Sequence, residues 1–162
     1  MEYALKQKGF LINGMAGANA QASWHEFAKS PGGEFFRDTQ KDSDVAAFCA
    51  KPPKKQVVDE NGSPCWKDVA PVSDNASLFT ALRRLRNNLF HGGKSDNPGD
   101  ERNIFLFRAG IEIIRASLDC SPDLKQVFED GYCRKFRMPS KSSRSIASVL
   151  VSTGMRLNPK LS

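Results

Sequence analysis

The sequence predicts an all-α fold: a helical bundle of four to five helices, with a long loop after the second helix and a basic C-terminal tail. The length of 162 residues suits one domain with a substantial core. Two segments repeat large apolar residues every three or four positions, the spacing of an amphipathic helix that faces a core. These residues are Leu78, Leu82, Leu85 and Leu89 in the first segment and Ile104, Phe107, Ile111, Ile114 and Leu118 in the second. A short polar turn separates the segments, so we expect antiparallel neighbours.

The first half of the chain gives weaker helical signals. Residues 10–30 have a weak helical tendency, because Trp24, Phe27 and Ala28 have helical spacing although two glycines interrupt the segment. A Ser-Pro-Gly-Gly break then precedes a second predicted helix over residues 34–50, which ends before two prolines. Its candidates for burial are Phe35, Phe36, Val45, Ala46, Phe48 and Cys49.

Residues 51–73 are predicted to form the long loop. A hairpin is the alternative for its centre, where Asn61-Gly62 lies between Val57-Val58 and Cys65-Trp66. A connection of this length in a compact domain is either functional or disordered. We interpret Trp66 as an anchor that packs the loop against the protein.

Capping signals bound the two strong helices. Ser73 or Asp74 can cap the first, and Gly92-Gly93 provides its stop. Asp100 can cap the second, which ends at Ser121-Pro122. These signals predict helices over about residues 74–91 and 100–120.

A short helix over residues 122–130 is predicted to close the folded part. The expected organisation is therefore a helical domain over residues 1–131 and a basic, serine-rich extension over residues 132–162. Of the 24 Lys and Arg residues, 7 lie in that extension, which holds no acid, so residues 1–131 hold 17 basic and 18 acidic side chains. A basic arm of this kind commonly contacts nucleic-acid phosphates. The alternative is a solvated terminus that binds nothing.

The cysteines and the hydropathy pattern indicate the compartment. The cysteines at positions 49, 65, 120 and 133 form no C-x-x-C pair, and no histidine lies at ligand spacing. We therefore expect reduced thiols, no metal site, no disulfide scaffold and no cofactor. The N-terminal residues lack a signal-peptide pattern, and no apolar run reaches about 18 residues. These features predict a cytoplasmic protein with no membrane partner.

The candidate catalytic segment lies at the end of the first strong helix. It reads Arg86-Asn87-Asn88-Leu89-Phe90-His91, and Arg83, Arg86, Asn87 and Phe90 lie on one face beside the leucine stripe. An arginine offers a planar fork of donors to a phosphate, and histidine titrates nearest to neutral pH, so Arg86 and His91 could cleave RNA without a metal. The alternative is a chance pair in which His91 only caps the helix.

Helical geometry constrains how this pair could act together. Five positions on an ideal helix turn by about 500°, so Arg86 and His91 lie roughly 140° apart around the helix and about 7.5 Å apart along it. Two arrangements remain. Either the helix loosens between Phe90 and His91, or a second subunit completes the site with the same motif across a two-fold axis.

The run LRRLRNNLFHGGK, from Leu82 to Lys94, resembles the signature of the HEPN superfamily (higher eukaryotes and prokaryotes nucleotide-binding). Its hallmark is R-x4-6-H, often with a polar residue directly after the arginine, here Asn87. The match covers about residues 74–120. It departs from the family at Gly93, because members paired with nucleotidyltransferase antitoxins often carry a tyrosine there.

This resemblance implies an all-α bundle that forms a homodimer with a composite active site. Many members are metal-independent endoribonucleases in toxin–antitoxin, phage-defence or RNA-processing systems, and others are inactive modules that bind RNA, nucleotide or a protein partner. It implies that Arg86 and His91 are catalytic, that Asn87 supports them, and that cleavage leaves 2′,3′-cyclic phosphate and 5′-hydroxyl ends. An antitoxin or defence-complex partner is also implied.

Four further residues have weaker patterns. Arg83 and Lys94 are candidate contacts for RNA phosphates. His25 has no partner pattern and is interpreted as structural or surface. Glu112 is expected to pair with arginines on a solvated helix face. The alternative is that Glu112 orients Arg86 or His91.

Overall fold

The structure is a computed structural model that describes residues 1–91 and 101–136, with side chains for residues 1–90 and 101–131. The described part contains seven helices and two small antiparallel hairpins. The helices are α1 (Glu2–Gln7), α2 (Trp24–Phe27), α3 (Phe35–Thr39), α4 (Ser43–Ala50), α5 (Asn75–His91), α6 (Glu101–Asp119) and α7 (Pro122–Phe136). The strands are β1 (Leu11–Ile12), β2 (Gln21–Ala22), β3 (Lys55–Val58) and β4 (Pro64–Lys67). The predicted all-α bundle of four to five helices is confirmed only in its mainly helical character, since the described residues form seven helices and two small sheets.

One hydrophobic core joins the helices. Helix α6 packs against α4, α5 and α7, while α2 and α3 pack against α5, and α1 packs against α7. Phe79 of α5 lies at the centre of an aromatic cluster, with ring centroids 5.0 Å from Phe27 and 5.8 Å from Phe35. The core therefore fixes α5, the helix that carries the candidate site, from several directions.

The prediction of helical structure over residues 10–30 is wrong for most of the segment. Strands β1 and β2 form a hairpin there, with Leu11 opposite Ala22. Only the α2 segment is helical, and it begins where the Ser23 hydroxyl accepts a hydrogen bond from the Glu26 N–H at 3.2 Å. The residues between the strands include Gly17 at φ +85°, a conformation that breaks a helix and that glycine adopts readily. The preceding α1 had no sequence signal.

The helix predicted over residues 34–50 is split into α3 and α4. The division occurs at Asp42, whose carboxylate accepts hydrogen bonds from the N–H groups of Asp44 and Val45 at 2.9 and 3.0 Å. This N-cap starts a new helix rather than continuing α3. The expected burial of Phe35, Val45, Phe48 and Cys49 is confirmed.

The hairpin alternative for the long loop is confirmed. Strands β3 and β4 pair in antiparallel register, with Lys55 opposite Lys67 and Val58 opposite Pro64. The Asp59 carboxylate stabilises the turn, accepting hydrogen bonds from the N–H groups of Asn61 and Ser63 at 2.9 and 2.8 Å. Gly62 in this turn has φ +79°.

Helix α5 begins and packs largely as predicted. The Asp74 carboxylate accepts a hydrogen bond from the Ser77 N–H at 2.7 Å, and the hydrogen bonds from Ser77 lower the pKa of Asp74. Leu78, Leu82 and Leu85 of the leucine stripe are buried. Leu89 is instead 49% exposed. Residues 92–100, which include the predicted stop, turn and second cap, lie outside the described part.

The predicted apolar stripe of α6 is only partly correct. Ile104 and Ile111 are exposed, although Leu118 is buried. The face that packs inward combines three small and three large residues, which are Leu106, Ala109, Gly110, Ile113, Ser117 and Leu118. At Gly110 a Cβ would lie 2.7 Å from Leu85 Cδ2, so the Leu85 side chain would have to shift to admit a larger residue.

The last helix is longer than predicted, since α7 continues from Pro122 to Phe136. Residues 137–162, most of the basic extension, lie outside the described part. Cys49, Cys65 and Cys120 are free thiols. None of the described helices is long and apolar enough to cross a membrane.

Candidate functional site on helix α5

Helix α5 brings three of the predicted site residues together. Arg83, Arg86 and Asn87 follow one another at spacings of three and one, so they share one face of the helix. The Arg86 guanidinium donates a hydrogen bond through Nη1 to Asn87 Oδ1 at 3.1 Å. The Arg86 side chain is 49% exposed, so it is accessible to a ligand.

Two other residues also contact Arg86. Its Nη2 atom forms an ion pair with Glu2 Oε2 at 3.4 Å, and its Cζ lies 5.4 Å from the centroid of the Phe90 ring. The other oxygen of Glu2 accepts a hydrogen bond from Trp24 Nε1 at 3.4 Å. Arg86 is therefore held from three sides by a carboxylate, an amide and an aromatic ring. Sequence reasoning missed Glu2, because no pattern indicated that this residue of α1 contacts Arg86 of α5.

A pocket of about 300 Å³ opens beside Arg86. We call it the Glu2 pocket, and its main lining residues are Glu2, Lys6, Gln21, Trp24, Arg83, Arg86 and Asn87. Lys6 adds a third cation, whereas Glu2 is the one carboxylate among the described residues of its lining. The pocket therefore combines donors for an anion with an acid that already occupies one of them.

A second depression, of about 420 Å³, adjoins the Glu2 pocket on the surface of α5. We call it the hairpin groove, and it is lined by Lys55, Gln56, Thr80, Arg83, Arg84, Asn87 and Asn88. Arg83 and Asn87 line both the groove and the Glu2 pocket. The two depressions are therefore neighbours along one helix surface.

Side chains of α5 hold the base of the β3–β4 hairpin against this groove. Arg84 Nη1 donates a hydrogen bond to the Pro53 carbonyl at 3.2 Å, and Asn88 Nδ2 donates one to the Lys54 carbonyl at 2.9 Å. Pro53 is buried, and burial lowers the pKa of Arg84. The two contacts position the hairpin as one wall of the groove.

The remaining predicted site residues are only partly described. His91 is the last residue of α5, and its side chain lies outside the described part, as does Lys94. The backbone remains helical through Phe90 to His91, which disfavours the first of the two alternatives, a helix that loosens between these residues.

The weaker candidates lie elsewhere. His25 is exposed on α2, as the surface interpretation predicts. The Glu112 carboxylate pairs with Arg115 of its own helix at 2.6 Å, which confirms the expected surface pair. Among the described residues, no group of three or more His, Cys, Asp or Glu side chains is placed to hold a metal ion.

Comparisons with known proteins yield no relative of this chain. No protein-family model matches it, and neither curated proteins nor solved structures give a significant match. Chemically, the α5 surface presents guanidinium and amide donors at two adjoining depressions. That arrangement is suited to binding a phosphate and stabilising charge that builds on its oxygens.

Proposed function

We propose that this protein is a metal-independent endoribonuclease of the HEPN type, with its active site on α5. Arg86 binds the scissile phosphate, Asn87 orients Arg86, and His91 transfers protons. Arg83 and Lys94 contact neighbouring phosphates. The observation that carries the proposal is the half-exposed Arg86, hydrogen-bonded to Asn87 at 3.1 Å, beside a pocket with two further cations.

The reaction needs no atoms beyond RNA and these side chains. A general base removes the proton from a ribose 2′-hydroxyl, and the 2′-oxygen forms a bond to the adjacent phosphorus. The bond between phosphorus and the 5′-oxygen breaks, and a general acid protonates that leaving oxygen. The products are a 2′,3′-cyclic phosphate and a 5′-hydroxyl. The Arg86 guanidinium offsets the charge that develops on the phosphate oxygens.

We propose that the active site is shared by two subunits. On a continuous helix, Arg86 and His91 point roughly 140° apart, so one α5 cannot place both groups on one phosphate. A two-fold axis would bring the motif of a second copy into reach. The exposure of Leu89 and Phe90, at 49% and 71%, supports this arrangement, because both apolar side chains lie beside the motif and a partner could cover them.

The proposed setting is a cytoplasmic toxin–antitoxin or phage-defence system, with RNA as substrate and an antitoxin or defence-complex protein as partner. The HEPN resemblance supports this setting. The all-α HEPN bundle is likewise part of the proposal, and the mainly helical fold is compatible with it.

A second candidate is an inactive HEPN module that binds RNA, nucleotide or a protein partner. The Glu2–Arg86 ion pair favours this alternative, because it gives Arg86 a structural role within one subunit. In that case the motif is a binding site without chemistry.

One experiment separates the two candidates. Purified protein is incubated with mixed cellular RNA in EDTA, alongside the variants Arg86→Ala and His91→Ala. We expect cleavage in EDTA, and a decrease of about 100-fold or more in each variant, the scale of a lost general acid or base for His91→Ala and of a lost donor to the charged transition state for Arg86→Ala. Cyclic phosphate at the new ends would identify the attack by the 2′-hydroxyl.

Matched controls exclude general effects of charge or folding. His25→Ala removes the other histidine, which is exposed on α2, and Arg108→Ala removes an exposed arginine of α6. Both should cleave like the wild type. Intact RNA with the wild-type protein would support the inactive module. Cleavage that required magnesium would contradict the proposed mechanism.

A further inference from the structure

We propose that the hairpin groove binds the phosphate backbone of single-stranded RNA next to the cleavage point. This inference rests on the proposed function for its choice of ligand. The groove extends beyond the Glu2 pocket, because Lys55 and Arg84 line the groove and do not line the pocket.

The charge of the groove indicates an anionic ligand. It contains three cations, Lys55, Arg83 and Arg84, together with four uncharged polar side chains. None of the described residues that line it is acidic. The cations therefore lie side by side without a counter-charge, an arrangement that a phosphate chain would stabilise.

Arg84 is the clearest sign that a ligand supplies this counter-charge. Its guanidinium is partly buried, and burial alone lowers its pKa. Its hydrogen bond goes to a neutral acceptor, the Pro53 carbonyl. Within the described residues, no carboxylate lies within 4.0 Å of it. A phosphate oxygen would give Arg84 a charged partner, which the described residues do not supply.

The groove is held in shape before a ligand arrives. Three consecutive carbonyls at the base of the hairpin accept hydrogen bonds from helix side chains. They belong to Pro52, Pro53 and Lys54, and their donors are Arg102 at 3.5 Å, Arg84 at 3.2 Å and Asn88 at 2.9 Å. Both α5 and α6 thus fix the hairpin wall. A preformed site loses less entropy on binding than one that must first become ordered.

The position of the groove connects it to the scissile phosphate. Arg83 and Asn87 line both the groove and the Glu2 pocket. An RNA strand that runs from Arg86 to the groove would therefore contact cationic and amide donors along its whole path. Amide side chains in the groove, from Gln56 and Asn88, can also bond to the edges of unpaired bases. We therefore assign the groove to a single strand rather than to an acidic protein segment.

The test compares two lysines that face each other across the β3–β4 hairpin. Lys55 and Lys67 are both exposed and are direct cross-strand partners, but only Lys55 lines the groove. The full chain carries His91→Ala to prevent cleavage, and the probe is a labelled oligouridylate of about ten nucleotides. Affinity is measured by fluorescence anisotropy as a function of salt.

We expect Lys55→Gln to weaken binding about fivefold and to reduce the slope of log affinity against log salt by about 0.7, the value for one phosphate contact on a single strand. Lys67→Gln should change the affinity less than twofold and leave that slope unchanged. Equal effects of the two variants, or no effect of Lys55→Gln, would overturn the proposal. Displacement of the RNA by polyglutamate at equal charge concentration would also overturn it and assign the groove to acidic protein segments.

A parallel cleavage assay separates this inference from the proposed function. Selective weakening by Lys55→Gln, in a protein whose wild type cuts no RNA, would support the groove and contradict the nuclease. Cleavage by the wild type, with RNA binding that does not depend on Lys55, would support the nuclease and overturn the groove.

Discussion

The Glu2 pocket and the hairpin groove adjoin each other on α5, and the arginines that line them have different partners. In the pocket, Arg86 pairs with the Glu2 carboxylate at 3.4 Å, whereas in the groove Arg84 donates to the Pro53 carbonyl at 3.2 Å and has no carboxylate partner among the described residues. A phosphate must compete with Glu2 for Arg86, but it gains an unpaired cation at Arg84. Removing the charge of Glu2 should therefore strengthen RNA binding at the pocket, whereas removing a cation of the groove should weaken it.

The largest expected effect comes from disturbing the frame that both sides share. Gly110→Val should lower the free energy of unfolding by about 1–3 kcal/mol, because its side chain would collide with the buried Leu85. RNA binding at both depressions should weaken together, since α6 packs against α5 beside Leu82 and Leu85. Urea denaturation measures the stability, and the oligouridylate assay measures the binding.

Gly33→Val is the control for this substitution, since a Cβ at Gly33 meets nothing within 4 Å. It should change stability by less than about 0.5 kcal/mol. Wild-type stability in Gly110→Val would show that Leu85 moves aside. It would also show that the contact of α5 with α6 does not determine the geometry of the two depressions.

The next largest effect compares the contributions of two neighbouring arginines of α5, Arg84 and Arg83, to stability. Arg84→Ala should lower the free energy of unfolding by about 1–2 kcal/mol, because it removes a charged hydrogen bond to the buried Pro53 and the packing of the aliphatic stem. Arg83→Ala should cost less than about 0.5 kcal/mol, since that side chain is exposed. Stabilisation by Arg84→Ala would mean that the cost of burying its charge exceeds the value of the contact.

How far the site could be predicted depends on the distance of its contacts along the chain. Arg83, Arg86 and Asn87 lie within five positions of one helix, so helical spacing alone placed them together. Glu2 and Lys55 reach the same surface from distant segments, through packing that no local pattern records. The charges of both depressions therefore appeared only with the tertiary structure.

The fold shows the same division between local and tertiary signals. The leucine stripe and the Asp74 cap predicted most of α5 correctly. In α6 the spacing of the large apolar residues predicted the wrong inward face, because the buried face includes the small residues Ala109, Gly110 and Ser117. Small residues allow two helices to approach closely, but their low hydrophobicity gives little periodic signal.

The smallest effect tests the acid-bearing side directly. Glu2→Gln should tighten oligouridylate binding by the His91→Ala protein about twofold to threefold, because exposed ion pairs contribute about 0.2–1 kcal/mol. The substitution removes the carboxylate that competes with phosphate and keeps an acceptor for the Trp24 indole.

Glu34→Gln is the matched control, since Glu34 also pairs with an arginine, Arg37, but lines neither depression. It changes the net charge equally, so any general electrostatic gain will be the same in both variants. Weaker binding by Glu2→Gln would show that Glu2 positions Arg86 for the phosphate rather than competing for it, and the contrast between the two sides of α5 would then be one of geometry instead of charge.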